Sequence, residues 1–182
     1  GDSITQGWEK DGAPVWQTHY AKFDPLDLGF GGDRTENVLW RLQNGAVDGL
    51  DPKVAVLMIG TNNTGLRGDF PASTVAGIRR NLDELRQRLP RTRILLMAIF
   101  PRDAMPDSTL RRTNEAINAQ LPALADGNRI VFLDVNRAFL TPDGLLAKTI
   151  MPDLLHPNAA GYAIWATAMQ PELDRLMALP RL

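Results

Sequence analysis

The sequence predicts a three-layer α/β domain with a central parallel sheet. Three observations carry that expectation. Short, wholly apolar runs recur along the chain, as strands buried on both faces require. Between them lie stretches whose apolar residues fall three and four apart. Strand-like and helix-like segments alternate, which favours parallel strands with helices on both faces.

The elements follow in order. Leu26-Asp27-Leu28, before Gly29, is a weak strand candidate. From Thr35 to Asn44, Val38, Leu39 and Leu42 mark a helix, with Gly45 as its stop. Val54 to Ile59 is a continuous apolar run closed by Gly60 and reads as a strand buried on both faces. From Ser73 to Leu89, Val75, Ile78, Leu82, Leu85 and Leu89 form a helical stripe ended by Pro90. Ile94 to Phe100, closed by Pro101, is another strand. Ser108 to about Leu124 reads as a helix that Pro122 shortens. Ile130 to Leu133 is a strand entered through the Asp126-Gly127-Asn128 turn. A last helix starts at Asn158, with a kink or break expected at Pro171.

At 182 residues the chain suits a single domain spanning 1–182. A formal net charge of -1 offers no electrostatic reason to expect nucleic acid or an anionic membrane as a partner. The absence of cysteine excludes disulfides, thiolate metal sites and a cysteine nucleophile. No apolar run approaches the roughly 18 residues of a membrane-spanning helix. The compartment stays open: cytoplasmic, or secreted or periplasmic after removal of a leader.

Chemistry concentrates in four places. Ser3 stands in the opening Gly1-Asp2-Ser3. A serine hydroxyl becomes a nucleophile only when a base takes its proton and the product oxyanion is stabilised. Asp153 and His156 stand three apart near the other end, a spacing that lets the carboxylate reach the ring Nδ1 when the segment turns. His156 is one of only two histidines. The other, His19, has no carboxylate within three residues and reads as structural. Gly31-Gly32-Asp33 offers backbone N–H groups that an anion can approach. A dinucleotide fingerprint fails there, because Arg34 stands where the third glycine would be. Gly60-Thr61-Asn62-Asn63 ends the best strand, where α/β sheets place their ligands. A side-chain amide there can hold a developing oxyanion, an effect worth ~3 kcal/mol.

Ser, Gly, Asn, then Asp with His, in that order over essentially the whole chain, resembles the SGNH hydrolase family, also called GDSL esterases and lipases. Within it, residues 29–45, Gly60-Thr61-Asn62-Asn63 and Pro101-Arg102 are similar to the catalytic subunits of platelet-activating-factor acetylhydrolase Ib. Bacterial GDSL acetylesterases share these features. The resemblance implies a flavodoxin-like α/β/α fold and a carboxylic ester hydrolase. It implies Ser3 as nucleophile, His156 as base and then acid, and Asp153 as the residue that orients it. The oxyanion hole would be the backbone N–H groups of Ser3 and Gly32 and the side-chain amide of Asn62. It implies no cofactor and no metal.

A small ester is the expected substrate, acetyl above other acyl groups, on a sugar or a lipid. The rivals are a lysophospholipase or thioesterase acting on longer chains and a catalytically silent carbohydrate-binding module. Homodimerisation is expected by the same analogy. Trp8, nearest Ser3 among the tryptophans, is the candidate substrate-pocket wall. Arg41 and Arg102 read as surface or salt-bridging. Asn63, where many members carry Asp, is expected to matter little. In this fold a serine nucleophile follows a buried strand, yet only Gly1 and Asp2 precede Ser3. A first strand upstream of residue 1 is therefore expected, unless the sheet closes differently.

Overall fold

The computed structural model describes residues Gly1–Leu182. A short helix α1 (Ser3–Gln6) opens the chain, followed by α2 (Ala13–His19) and α3 (Thr35–Gln43). Strand β1 (Val54–Leu57) leads through a π-helical turn (Asn63–Arg67) to α4 (Pro71–Arg88). Strand β2 (Arg93–Met97), α5 (Thr109–Asn118), β3 (Ile130–Leu133) and the long α6 (Ala159–Ala178) complete it. The three strands are parallel and ordered β1-β2-β3, with Val54 opposite Arg93 and Ile94 opposite Ile130.

Alternation along β2 divides the core into two layers. Leu95 and Met97 face one side and join Val131, Trp165, Met169 and Leu173 in one apolar cluster. Ile94 and Leu96 face the other and pack with Val38, Leu42, Ile78, Leu82 and Ile117. Every residue of β2 is buried, and each such apolar side chain contributes ~1.5–3 kcal/mol by leaving water. Helices therefore cover both faces: α6 on one, α3, α4 and α5 on the other. The three-layer α/β/α expectation holds, with the sheet's C-terminal edge presenting the loops of interest.

Four details differ from the sequence reading. β1 is not buried on both faces. It is an edge strand, and Val56 keeps 40% of its surface exposed. Leu26–Leu28 is not a strand, because its backbone pairs with no neighbouring strand. The helix expected to reach Leu124 ends at Asn118, and a separate 3₁₀ turn (Leu121–Leu124) carries Pro122 near its start. A 3₁₀ start tolerates a residue without an N–H. Conversely, α6 runs unbroken through Pro171. Burial of Met169, Leu173 and Leu176 around the proline offsets the one lost backbone hydrogen bond. No helix is long and apolar enough to cross a membrane.

Candidate active site

Ser3 is the first residue of α1, and Asp2 is its cap: the Asp2 Oδ1 accepts from the Ile4 N–H at 2.9 Å. Burial pushes the Asp2 carboxyl up to about 6, against the lowering effect of that N–H and of nearby positive charge. α1 is pinned from two sides. The Tyr162 hydroxyl, on α6, donates to the Ile4 carbonyl at 2.6 Å. On the other side Gly29 lies so close that an added Cβ would sit 2.2 Å from the Gln6 nitrogen. Only glycine permits that approach.

His156 lies in the loop before α6. Its Nε2 is 2.9 Å from the Ser3 Oγ, and its Nδ1 is 2.6 Å from the Asp153 Oδ2. Asp153 is held by its own turn, its Oδ1 accepting from the backbone N–H groups of Leu155 and His156 at 3.0 and 2.7 Å. Partial burial pushes the Asp153 carboxyl up, but the His156 ring and these two N–H groups outweigh it, and the net shift is downward. Leu154 adopts φ 60°, a left-handed conformation a branched residue rarely takes. Its carbonyl accepts from the Asp103 N–H at 3.0 Å, which ties the turn to the loop after β2. Residues 153 positions apart thus meet in one hydrogen-bonded chain from carboxylate to imidazole to hydroxyl.

On the opposite wall Asp33, Asn62 and Asn63 are buried, while Gly31 and Gly32 are exposed. The Asn62 side chain donates to the Asp33 carbonyl at 3.0 Å, which occupies one of its two amide N–H groups and leaves the other. The N–H groups of Ser3 and Gly32 have no partner within the protein. Gly32 has φ 78°, which turns the Gly31-Gly32-Asp33 segment. Arg41 grips the Asp33 carboxylate with two hydrogen bonds, at 2.7 and 3.1 Å, and lies 3.7 Å from the centre of the Phe30 ring. The salt-bridging reading of Arg41 is the one the structure has. Arg102 forms no salt bridge: it is half-buried, and its Nη1 donates to the Thr61 carbonyl and hydroxyl, both at 3.2 Å.

Asn63 is no bystander. It is 1% exposed. Its Oδ1 accepts from the Thr35 N–H at 3.0 Å, and its Nδ2 donates to the Asp69 carboxylate at 2.9 Å and the Thr35 hydroxyl at 3.1 Å. It joins the start of α3 to the turn after Asn62, and an ionised Asp could accept but not donate there. Sequence reasoning missed this network because its partners are up to 28 positions away. The one available signal was an amide where a carboxylate was expected.

Trp8 lines an apolar cavity bordered by Gly1 and Thr5, but neither Ser3 nor His156 lines that cavity. The Trp8 ring is buried among Tyr162, Trp165, Tyr20 and Trp16, with ring centroids 4.5 to 5.8 Å away, and belongs to the core. His19 is remote from Ser3 in its contacts, its Nδ1 lying 3.1 Å from the Gln170 Oε1.

A serine hydroxyl, an imidazole and a carboxylate in series at the mouth of a parallel sheet define the hydrolase class of α/β proteins. Residues 1–164 match the GDSL-like lipase/acylhydrolase family, and the chain belongs to that family of ester-cleaving hydrolases. It is 33% identical over 179 residues to the human platelet-activating factor acetylhydrolase IB subunit alpha1, covering 98% of this chain and 75% of the relative. Among solved structures, a GDSL-like lipase from Bacteroides thetaiotaomicron superposes with a TM-score of 0.80 at 19% identity, over 96% of this chain and 85% of that one. An acetylxylan esterase from Geobacillus stearothermophilus gives 0.69 at 20% identity, over 92% and 79%. These two likenesses concern the fold.

Proposed function

We propose that this chain is a serine esterase that cleaves short-chain carboxylic esters, acetyl esters above all, through an acyl-enzyme on Ser3. The observation that carries the proposal is the 2.9 Å contact of Ser3 Oγ with a His156 ring backed at 2.6 Å by Asp153. His156 Nε2 takes the hydroxyl proton as Oγ attacks the ester carbonyl carbon. The negative charge moves to the carbonyl oxygen, where the N–H groups of Ser3 and Gly32 and the free amide N–H of Asn62 receive it. Collapse breaks the bond to the alcohol, which leaves with the proton held by His156. Water then repeats the sequence against the acyl-enzyme, giving its proton to His156, and the acid and free Ser3 are regenerated. Asp153 keeps its negative charge throughout and stabilises the imidazolium.

The acetyl preference is supported by the named activities of the acetylhydrolase relative and the acetylxylan esterase neighbour. A nitrophenyl ester series from acetyl to palmitoyl, run beside Ser3→Ala, tests both levels. Turnover falling with chain length, and absent in the variant, is expected. Preference for octanoyl or longer would overturn the acetyl assignment and leave the nucleophile standing. Undiminished turnover in Ser3→Ala would overturn the nucleophile.

A further inference from the structure

Asn62 is held from both sides along the chain. After it, Asn63 is fixed to Thr35 and Asp69. Before it stands Thr61, and α5 reaches across to hold that residue. The Asn114 Nδ2, on α5, donates to the Thr61 hydroxyl oxygen at 3.3 Å. The Asn114 Oδ1 accepts from the Thr64 hydroxyl at 2.8 Å. The Thr64 oxygen also lies 3.0 Å from the Thr61 carbonyl, so residues 61 and 64 are closed on each other around Asn62. Arg102 grips the same Thr61 carbonyl and hydroxyl from the loop after β2. Thr61, Thr64 and Asn114 are all buried, and bulk water does not compete for these bonds.

The inward face of α5 is unusually polar for a core helix. Arg111, Asn114 and Asn118 are all buried on it beside Ile117. A buried amide costs ~1–3 kcal/mol unless its groups are bonded. Asn118 meets that demand at a single residue: its Oδ1 accepts from the Ile99 N–H and its Nδ2 donates to the Ile99 carbonyl, both at 2.8 Å. That fastens α5 to the chain leaving β2. Asn114, one turn earlier, spends its amide on the two threonines that flank Asn62. Thr61 receives a proton there and Thr64 gives one, and a single amide supplies both the donor and the acceptor. An apolar residue of the same size would fill the space but could not tie Thr61 to Thr64.

We infer that Asn114 is a positioning residue for the oxyanion hole. Its hydrogen bonds reach neither Ser3 nor His156. It acts through Thr61 and Thr64 on the turn that aims the free amide N–H of Asn62. The inference rests on the assignment of Asn62 as an oxyanion donor. A donor stabilises developing charge to the extent that it is already in place, so loosening this turn lowers kcat and spares substrate binding.

The test is a double-mutant cycle on hydrolysis of 4-nitrophenyl acetate. Asn114→Ala should lower kcat about tenfold and leave KM within about threefold. In the Asn62→Ala background the same change should lower kcat by less than about twofold, because the group it positions is gone. Asn118→Ala removes a buried amide with as many hydrogen bonds. It should lower the melting temperature by a similar amount and leave kcat within about twofold. Thr61→Val should repeat the kcat loss, and Thr61→Ser, which keeps the hydroxyl, should not. That pair carries the test if Asn114→Ala does not fold, and undiminished kcat in Thr61→Val would then overturn the inference. Undiminished kcat in a folded Asn114→Ala, an equal loss with and without Asn62, or an equal loss in Asn118→Ala would each overturn it too. A loss in Asn62→Ala with none in Asn114→Ala removes the positioning role and leaves Asn62 as oxyanion donor. No loss in Asn62→Ala removes both.

Discussion

The two walls beside Ser3 are built in opposite ways. On one, Asp33, Asn62 and Asn63 are buried and cross-linked by hydrogen bonds spanning about 30 positions of sequence. On the other, the His156 and Asp153 side chains are 41% and 55% exposed and are joined within a four-residue turn. The contrast suits the chemistry assigned to each. Donors to an oxyanion act through fixed position, and a buried network keeps them from reorganising as charge develops. A base that exchanges protons with alcohol and water needs access to both. The lesson is that a single site can draw rigidity from one wall and accessibility from the other.

Four predictions would break or sharpen that comparison. The largest effects are expected at the residues proposed to transfer the proton. Ser3→Ala and His156→Ala should each lower kcat by about 10⁴-fold or more, since triad members act as a unit. Loss in one variant alone would break the link between nucleophile and exposed wall. Asn62→Ala should lower kcat by about 10²–10³-fold with little change in KM, the mark of a group used in the transition state. A rise in KM alone would make Asn62 a ground-state binding residue instead.

Next in size is the stability of Asp2. Its folded value of about 6 lies above its ordinary 3.8, so the folded protein holds this proton more tightly than the unfolded chain. Stability is therefore lost as pH rises from 3.8 through about 6, and stays reduced above. Asp2→Asn keeps the acceptor for the Ile4 N–H and removes the buried charge. It should be more stable by about 1–3 kcal/mol at neutral pH and should lack that slope, as measured by denaturant melts across pH 3–8.

The smallest prediction is the most direct test of the two walls. Asn63→Ala leaves the Thr35 N–H and the Asp69 carboxylate short of a partner and should cost about 1–3 kcal/mol. Asp153→Asn, on the exposed wall, should change stability by less than about 0.5 kcal/mol while lowering kcat. Equal losses of stability in the two variants would erase the distinction drawn between the walls.

Much of this was legible in the sequence for definite reasons. β2 and β3 were readable because strands buried on both faces are apolar at successive positions, and α4 because its apolar face repeats at helical spacing. The candidate site was readable as residue types in a fixed order: Ser3, Gly32, Asn62, and Asp153 with His156. What escaped was whatever depended on a partner. Trp8 reads the same as pocket wall or core until Tyr162 and Trp165 are seen against it. Asn63 reads as a turn residue until Thr35 and Asp69 close around it. Val54 to Ile59 has the composition of an interior strand, yet within residues 1–182 it pairs on one side only and Val56 is 40% exposed.

By itself, then, the sequence determined the layer architecture, the family and the inventory of reactive groups. Those follow from local periodicity and from which side chains can take, hold or give a proton. Only the tertiary structure decided that Ser3 and His156 meet, that Asn62 has one amide N–H engaged and one to spare, and that β1 is left with an unpaired edge. Contacts between residues far apart in the chain depend on how the layers stack, and hydrogen bonds are satisfied or left open only once they have.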